Sequence, residues 1–120
     1  MDSNNSPQAV TVSGVNWTVV GTVLGTNGLP VPGLMIEGWD KDFSDDDVLG
    51  RGTTNEKGQF EIKFEKRHFS DRGLEKRPDL YFLIFKDGTL IAHTKDQVLK
   101  NVDESLAPIV LNAPVEGVAG

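Results

Sequence analysis

The chain has 120 residues, 38% of them hydrophobic and 25% charged, with 13 glycines and 6 prolines. This length fits one domain and leaves no room for a second core. The net charge of −6 disfavours binding to phosphate backbones, and the absence of cysteine excludes disulfides and Cys-ligated zinc. Nucleic acid is therefore not expected as a partner. Lys and Arg do not cluster beside an apolar helix face, so a membrane surface is not expected as a partner either.

The N-terminal segment 1–14 is rich in Ser and Asn and is predicted to be a flexible tail. It lacks the basic and apolar parts of a signal peptide, and no run in the chain approaches the length of a membrane-spanning helix. The location is therefore left open, with the cytoplasm as the default expectation.

Apolar residues then alternate from Trp17 onward, which predicts a first strand, and a glycine-rich turn follows at 25–28. A second strand is predicted over 33–40, after two prolines that are barred from the middle of a sheet. Further strands are predicted over the ranges 48–54, 59–64, 80–85, 90–92 and 108–111. The run 80–85 is apolar without alternation, so we expect a central strand there.

Two segments are harder to assign. The polar stretch 65–78 has room for one short helical turn around 66–69. Residues 95–106 suit either a helix face or a loop, because apolar residues at helical spacing are mixed with Asp103 and Ser105.

Seven or eight short strands with frequent turns predict an all-β, antiparallel sandwich over 15–112, followed by a C-terminal tail over 113–120. The predicted core consists of Val19, Val23, Leu34, Ile36, Leu49, Phe60, Ile62, Phe82, Ile84 and Ile109.

The turns carry a more specific pattern. Val19-x-Gly21-x-Val23 precedes the run 27–34, Asn-Gly-Leu-Pro-Val-Pro-Gly-Leu, and then Ile36 and Trp39-Asp40. Later come Thr53-Thr54-Asn55-x-x-Gly58-x-Phe60 and Pro78-Asp79-Leu80. Together these resemble a transthyretin-like (prealbumin-like) or carboxypeptidase regulatory-like module with a Greek-key sandwich, over roughly 19–92.

That resemblance implies a non-catalytic binding or structural accessory module of a larger assembly, as occurs in bacterial surface and secretion proteins. It therefore implies a protein partner. Enzymes of the same fold need residues that are missing: one requires a C-terminal Tyr-Arg-Gly-Ser, and the intradiol dioxygenases require two Tyr and two His to hold iron. Tyr81 is the one tyrosine in the sequence.

The loop 40–47 is the most unusual feature, with five aspartates against one lysine. Several carboxylates on a loop suit Ca²⁺, and the pattern also looks like the calcium loop of C2 domains. Asp40, Asp42, Asp46 and Asp47 are the predicted ligands. It is not an EF-hand, because Arg51 stands where the bidentate Glu belongs.

The same aspartates have a second interpretation. They would cap the turn by accepting backbone N–H bonds, and the domain would then hold no cofactor. A Ca²⁺-dependent binding domain is thus one alternative function. A small enzyme with a site near His68, close to Asp71 or Asp79, is another.

Three remaining features have competing interpretations. The segment 63–77 carries a net charge of +3 and is either a solvated connection or a surface for an acidic partner. Trp17 and Trp39 are expected to close the ends of the core, with a carbohydrate platform at Trp39 as the alternative. An uncovered edge strand would allow a homodimer.

Overall fold

The computed structural model describes residues 16–42, 45–65 and 77–119. Seven strands form two sheets, and none of these residues is helical. No helix in this part of the chain is long and apolar enough to cross a bilayer. The strands are β1 (Asn16–Leu24), β2 (Met35–Asp40), β3 (Asp47–Thr53), β4 (Gln59–Glu65), β5 (Leu80–Lys86), β6 (Thr89–His93) and β7 (Ile109–Asn112).

One sheet has the order β4-β1-β7 and the other has the order β3-β2-β5-β6. The core lies between them, so the predicted all-β, two-layer architecture is confirmed. The prediction of a purely antiparallel fold is wrong at one pair, because β7 runs parallel to β1. The chain reaches β7 from β6 in the other sheet, so β7 is not joined to β1 by a hairpin, which would require an antiparallel pair.

The inner faces follow the two-residue period of the sequence. In β4, the residues Phe60, Ile62 and Phe64 are buried while their neighbours point outward. Nine of the ten predicted core residues are buried, and the tenth, Ile109, is partly buried against the core. Each buried side chain of this size contributes roughly 1.5–3 kcal/mol.

The two tryptophans have different positions. Trp17 is 4% exposed, stacks on Phe64 at 5.6 Å, and donates its indole N–H to the carbonyl of Val102. Trp39 instead lies on the outer face of the four-stranded sheet, stacked on Tyr81 at 6.2 Å. The expectation that both close the core is thus wrong for Trp39, because the alternation that buries Ile36 turns Trp39 outward.

β5 lies between β2 and β6, as its unbroken apolar sequence predicted. Leu80, Phe82 and Ile84 face the core. On the other face Tyr81 is 3% exposed, since Trp39 packs over it.

On one flank of the two sheets, glycines in β3 allow this strand to approach β4 closely. A Cβ on Gly52 would lie 2.4 Å from the carbonyl oxygen of Glu61, and one on Gly50 would lie 3.0 Å from that of Lys63. Glycine occupies both positions because the backbones of β3 and β4 lie so close together there that little room is left for a side chain.

The segment 95–106 is an irregular loop with turns and one isolated β-bridge, not a helix. Leu80 and Leu99 exchange two main-chain hydrogen bonds, and the N–H of Val102 donates to the carbonyl of Pro78. The loop interpretation of this segment is therefore confirmed, and it buries Val102 in the core.

The segment predicted as a C-terminal tail packs against the turn after β1. Thr26 donates its N–H to Val115, and Val118 donates to Pro30. The side chain of Asn27 bonds the main chain of Gly117 in both directions. Residues 113–119 therefore belong to the folded domain. The predicted N-terminal tail 1–14, the helical turn at 66–69 and Gly120 lie outside the described residues.

Candidate metal centre

Three acidic side chains meet at one end of the four-stranded sheet. β2 ends at Asp40 and β3 begins at Asp47, and these two residues are partners in the antiparallel register. Pairing brings them together although seven positions separate them in the sequence. Asp42 follows on the loop that joins the strands.

Asp40, Asp42 and Asp47 each offer one carboxylate oxygen, and these oxygens lie within 4.8 Å of one another. Asp40 is wholly buried, and the other two are partly buried. Two oxygens that bind one Ca²⁺ at about 2.4 Å are at most about 4.8 Å apart. The triad therefore has the spacing of a cation site.

Charge repulsion within this triad is considerable. Two unit charges 4.8 Å apart repel by about 3 kcal/mol at an effective dielectric constant of about 20. Hydrogen-bond donors or nearby cations must offset this repulsion when the domain folds.

The fourth predicted ligand, Asp46, is not part of the triad. Its Oδ1 accepts the N–H of Asp42 at 2.9 Å, and its Oδ2 accepts the hydroxyl of Tyr81 at 2.7 Å. The bond from the Asp42 N–H, followed by that from Tyr81, lowers the pKa of Asp46. Asp46 thus closes the loop by hydrogen bonding, as the capping interpretation expects for some of these aspartates.

Tyr81 anchors this loop to the central strand. Burial, followed by the hydrogen bond to Asp46, raises the pKa of its phenol. The phenol therefore remains protonated near neutral pH and acts as a donor. The ammonium of Lys95 lies 5.9 Å from the ring centroid.

Asp40 is held by a chain of hydrogen bonds that the sequence did not indicate. Its Oδ1 accepts the N–H of Asp79 at 2.8 Å, and Asp79 Oδ1 accepts the N–H of Asn101 at 2.7 Å. In the sequence, Asp79 belongs to the Pro78-Asp79-Leu80 pattern and to the alternative site near His68, and neither predicts a contact with Asp40. Its role depends on the pairing of three distant segments, which no local pattern reveals.

An open cleft of about 660 Å³ lies beside the triad. Asp42 is shared between the two. The cleft walls carry three lysines, Lys41, Lys95 and Lys100, and three aspartates, Asp42, Asp79 and Asp96. The triad therefore faces solvent on one side while Asp40 anchors it to the interior.

The other predicted sites are not assembled in the described part of the chain. His68 and most of the basic segment 63–77 lie outside it. His93 is exposed, and its Nδ1 accepts the N–H of Lys95 at 3.2 Å. The indole N–H of Trp39 donates to Glu37, which also pairs with Arg51 at 3.1 Å.

No protein-family model and no curated protein matches the sequence. Among solved structures, the chain is similar to a 9R-lipoxygenase from Cyanothece PCC8801, with 20% identity and a TM-score of 0.60 over 89% of this chain. The chain spans 19% of the length of that lipoxygenase chain. At this identity the match supports the fold.

The chain is also similar to the dioxygenase domain of a dioxygenase carbohydrate-binding protein fusion from Streptomyces sp. SirexAA-E. The identity is 18%, and the match covers 92% of this chain and 86% of that one. The TM-score of 0.48 is too low to carry a structural argument.

These comparisons correct the functional expectation. The sequence predicted a non-catalytic binding or structural module, with a Ca²⁺-dependent binding domain and a small enzyme near His68 as alternatives. A domain of this fold makes up 19% of the similar lipoxygenase chain, so the same fold is found within an enzyme chain. The description as a non-catalytic module is therefore withdrawn.

Proposed function

We propose that the chain is a domain of an enzyme and that its acidic end holds a structural divalent cation, with Ca²⁺ as the best fit. The carboxylate triad of Asp40, Asp42 and Asp47 carries this proposal. The likeness to 19% of a lipoxygenase chain supports the association with an enzyme.

The donor set favours a hard cation. Three carboxylates on two strand ends and one loop provide oxygen ligands in an irregular arrangement, which Ca²⁺ accepts more readily than Mg²⁺ does. The absence of cysteine from the chain disfavours a thiolate metal such as structural zinc. Main-chain carbonyls and water would complete the coordination on the solvent side.

A cation in the triad would connect three parts of the fold. Asp40 ends β2, Asp47 begins β3, and Asp42 lies on the loop between them. Its charge would offset the repulsion of the carboxylates, and the hydrogen bonds of Asp46 would already hold the loop in place. The expected result is a stiffer edge at the open cleft.

We also propose that the sandwich is of the transthyretin-like, carboxypeptidase regulatory-like type. Support comes from the turns that carry the resemblance, since Gly28, Gly33 and Gly58 all adopt the positive φ that these turns need. A crystal structure tests this, because a strand order other than β4-β1-β7 and β3-β2-β5-β6 would exclude it.

Thermal unfolding tests the cation. We expect Tm to be higher in CaCl₂ than in EDTA, because a ligand that binds only the native state stabilises it. A calcium concentration of about 100 times Kd stabilises the fold by about 2.7 kcal/mol. A parallel series in MgCl₂ measures selectivity.

Asp42→Asn and Asp47→Asn should each reduce the Tm difference between CaCl₂ and EDTA. Asp45→Asn is the matched control, since it removes one charge from the same loop at an exposed position outside the triad. Equal Tm values of the unmodified chain in CaCl₂ and EDTA would refute the cation. The coding sequence around this chain tests the enzyme association, which fails if neither it nor an adjacent gene encodes an enzyme.

A further inference from the structure

The turn after β1 contains Asn27 followed by Gly28, which is the one Asn-Gly pair in the sequence. Both residues are exposed. Asparagine deamidates most readily before glycine, because glycine has no side chain to hinder the attack of its main-chain nitrogen on the preceding carboxamide. The turn therefore places a chemically reactive pair on the surface of the domain.

The carboxamide of Asn27 is held by the C-terminal segment 113–119. Its Nδ2 donates to the carbonyl of Gly117 at 3.0 Å, and its Oδ1 accepts the N–H of Gly117 at 2.9 Å. The N–H of Gly28, which belongs to the attacking nitrogen, donates to the carbonyl of Gly25 at 3.0 Å. Both reacting groups are thus engaged in hydrogen bonds while the segment is docked, and the reaction requires that these bonds break.

The docked segment lies at backbone distance from the turn. A Cβ on Gly117 would overlap main-chain atoms of Leu29 and Pro30, and a Cβ on Gly25 would overlap the carbonyl oxygen of Val115. Close-packed main chains leave little freedom to adjust. A change in the shape or charge of the turn should therefore disturb the docking.

We propose that Asn27 is a deamidation site, that the docked C-terminal segment slows the reaction, and that the product releases this segment. The nitrogen of Gly28 bonds to Cγ of Asn27 and gives up its proton. The bond from Cγ to Nδ2 breaks, and the side-chain nitrogen leaves as ammonia with that proton. Water then opens the resulting succinimide to give aspartate or isoaspartate.

Either product binds Gly117 less well than asparagine does. Both replace the Nδ2 donor, which now lies 3.0 Å from the carbonyl oxygen of Gly117, by an ionised oxygen. That oxygen repels the carbonyl oxygen, and the carbonyl loses its donor. Isoaspartate also lengthens the main chain of the turn by a methylene group. The modification therefore weakens the docking of the segment 113–119.

Incubation of the full chain in mildly alkaline buffer, followed by peptide mapping with mass spectrometry, tests the reaction. Asn55 is the internal control, because it is also exposed in a turn and its Oδ1 also accepts two N–H groups, but Glu56 follows it. Deamidation should be severalfold faster at Asn27 than at Asn55, with isoaspartate among the products. Equal rates at the two positions would overturn the proposal.

Gly117→Ala tests whether docking slows the reaction. Its Cβ would displace the segment from Leu29, so deamidation of Asn27 should become severalfold faster. Val118→Ala is the matched control, since this neighbouring side chain is 52% exposed and the main-chain bond from Val118 to Pro30 is kept. An unchanged rate in Gly117→Ala would show that the segment does not protect Asn27.

Asn27→Asp tests the effect of the product on the folded chain. Hydrogen exchange at the amides of Thr26 and Val118, which donate across the contact, should become at least about fivefold faster, the factor that loss of one hydrogen bond gives. Asn55→Asp adds the same charge to another turn and should leave these two amides unchanged. Unchanged exchange in Asn27→Asp would overturn the proposed release.

Discussion

The hydroxyl of Tyr81 donates a 2.7 Å hydrogen bond to Asp46 Oδ2 and so ties the central strand to the acidic loop. The other carboxylate oxygen of Asp46 accepts the N–H of Asp42, so the position of Asp42 is also constrained. One tyrosine thereby helps to position a carboxylate of the triad that it does not itself touch.

Tyr81→Phe should lower the free energy of unfolding by about 1.5 kcal/mol, because it removes a hydrogen bond to a charged acceptor and keeps the ring stacked on Trp39. Urea denaturation measures the change. A double-mutant cycle with Asp46→Asn should show coupling between the two side chains. Simple additivity of the two effects would contradict the direct bond.

The pH dependence of stability should reflect Asp46. Its pKa is lowered in the folded chain from an ordinary value of 3.8, chiefly by the N–H of Asp42 and then by Tyr81. The unfolded chain therefore binds this proton at higher pH than the folded chain does. The stabilisation is present above about pH 4 and is lost as pH falls through the folded pKa.

Denaturation at a series of pH values between about 5 and 2 tests this. The stability difference between the unmodified chain and Asp46→Asn should shrink as the pH falls. Asp45→Asn is the control for removing one negative charge from the loop. A difference that stays constant over this range would show that Asp46 does not carry the effect.

Gly52→Ala should destabilise the fold by about 3 kcal/mol, because its Cβ would lie 2.4 Å from a main-chain oxygen of β4. Gly38→Ala is the matched control, since a Cβ there would make ordinary contacts at 3.6 Å or more. Chemical denaturation compares the two variants. Similar losses in both would mean that close approach of β3 to β4 is not the reason for glycine at position 52.

A chain that ends at Asn112 should be less stable by about 4 kcal/mol, because it loses at least four hydrogen bonds. It loses main-chain bonds from Thr26 and Val118 and the paired bonds between Asn27 and Gly117, each contributing about 1 kcal/mol. A chain that ends at Val118 keeps these bonds and should match the full chain. Equal stability of both truncated chains would mean that this segment adds nothing to the fold.

Local chemistry explains why much of the fold could be predicted. Alternation in 59–64 determines which face of β4 is buried, and Asn55 and Gly58 specify the turn before it, where Asn55 Oδ1 accepts the N–H groups of Lys57 and Gln59. The acidic loop was also visible, because charge density needs no tertiary information. The sequence did not show that Asp40, Asp42 and Asp47 form the triad while Asp46 closes the loop by hydrogen bonding.

The sequence by itself thus determined the strands, the turns, most of the core and the place of the carboxylates, since each depends on neighbours within a few residues. The tertiary structure decided that β7 lies parallel to β1. It also decided that Asp46 accepts a hydrogen bond from Tyr81 and lies outside the triad. It also decided that Asp79 supports Asp40. These relationships join residues 35 or more positions apart, or strands from opposite parts of the chain, and their geometry exists only once both sheets have packed.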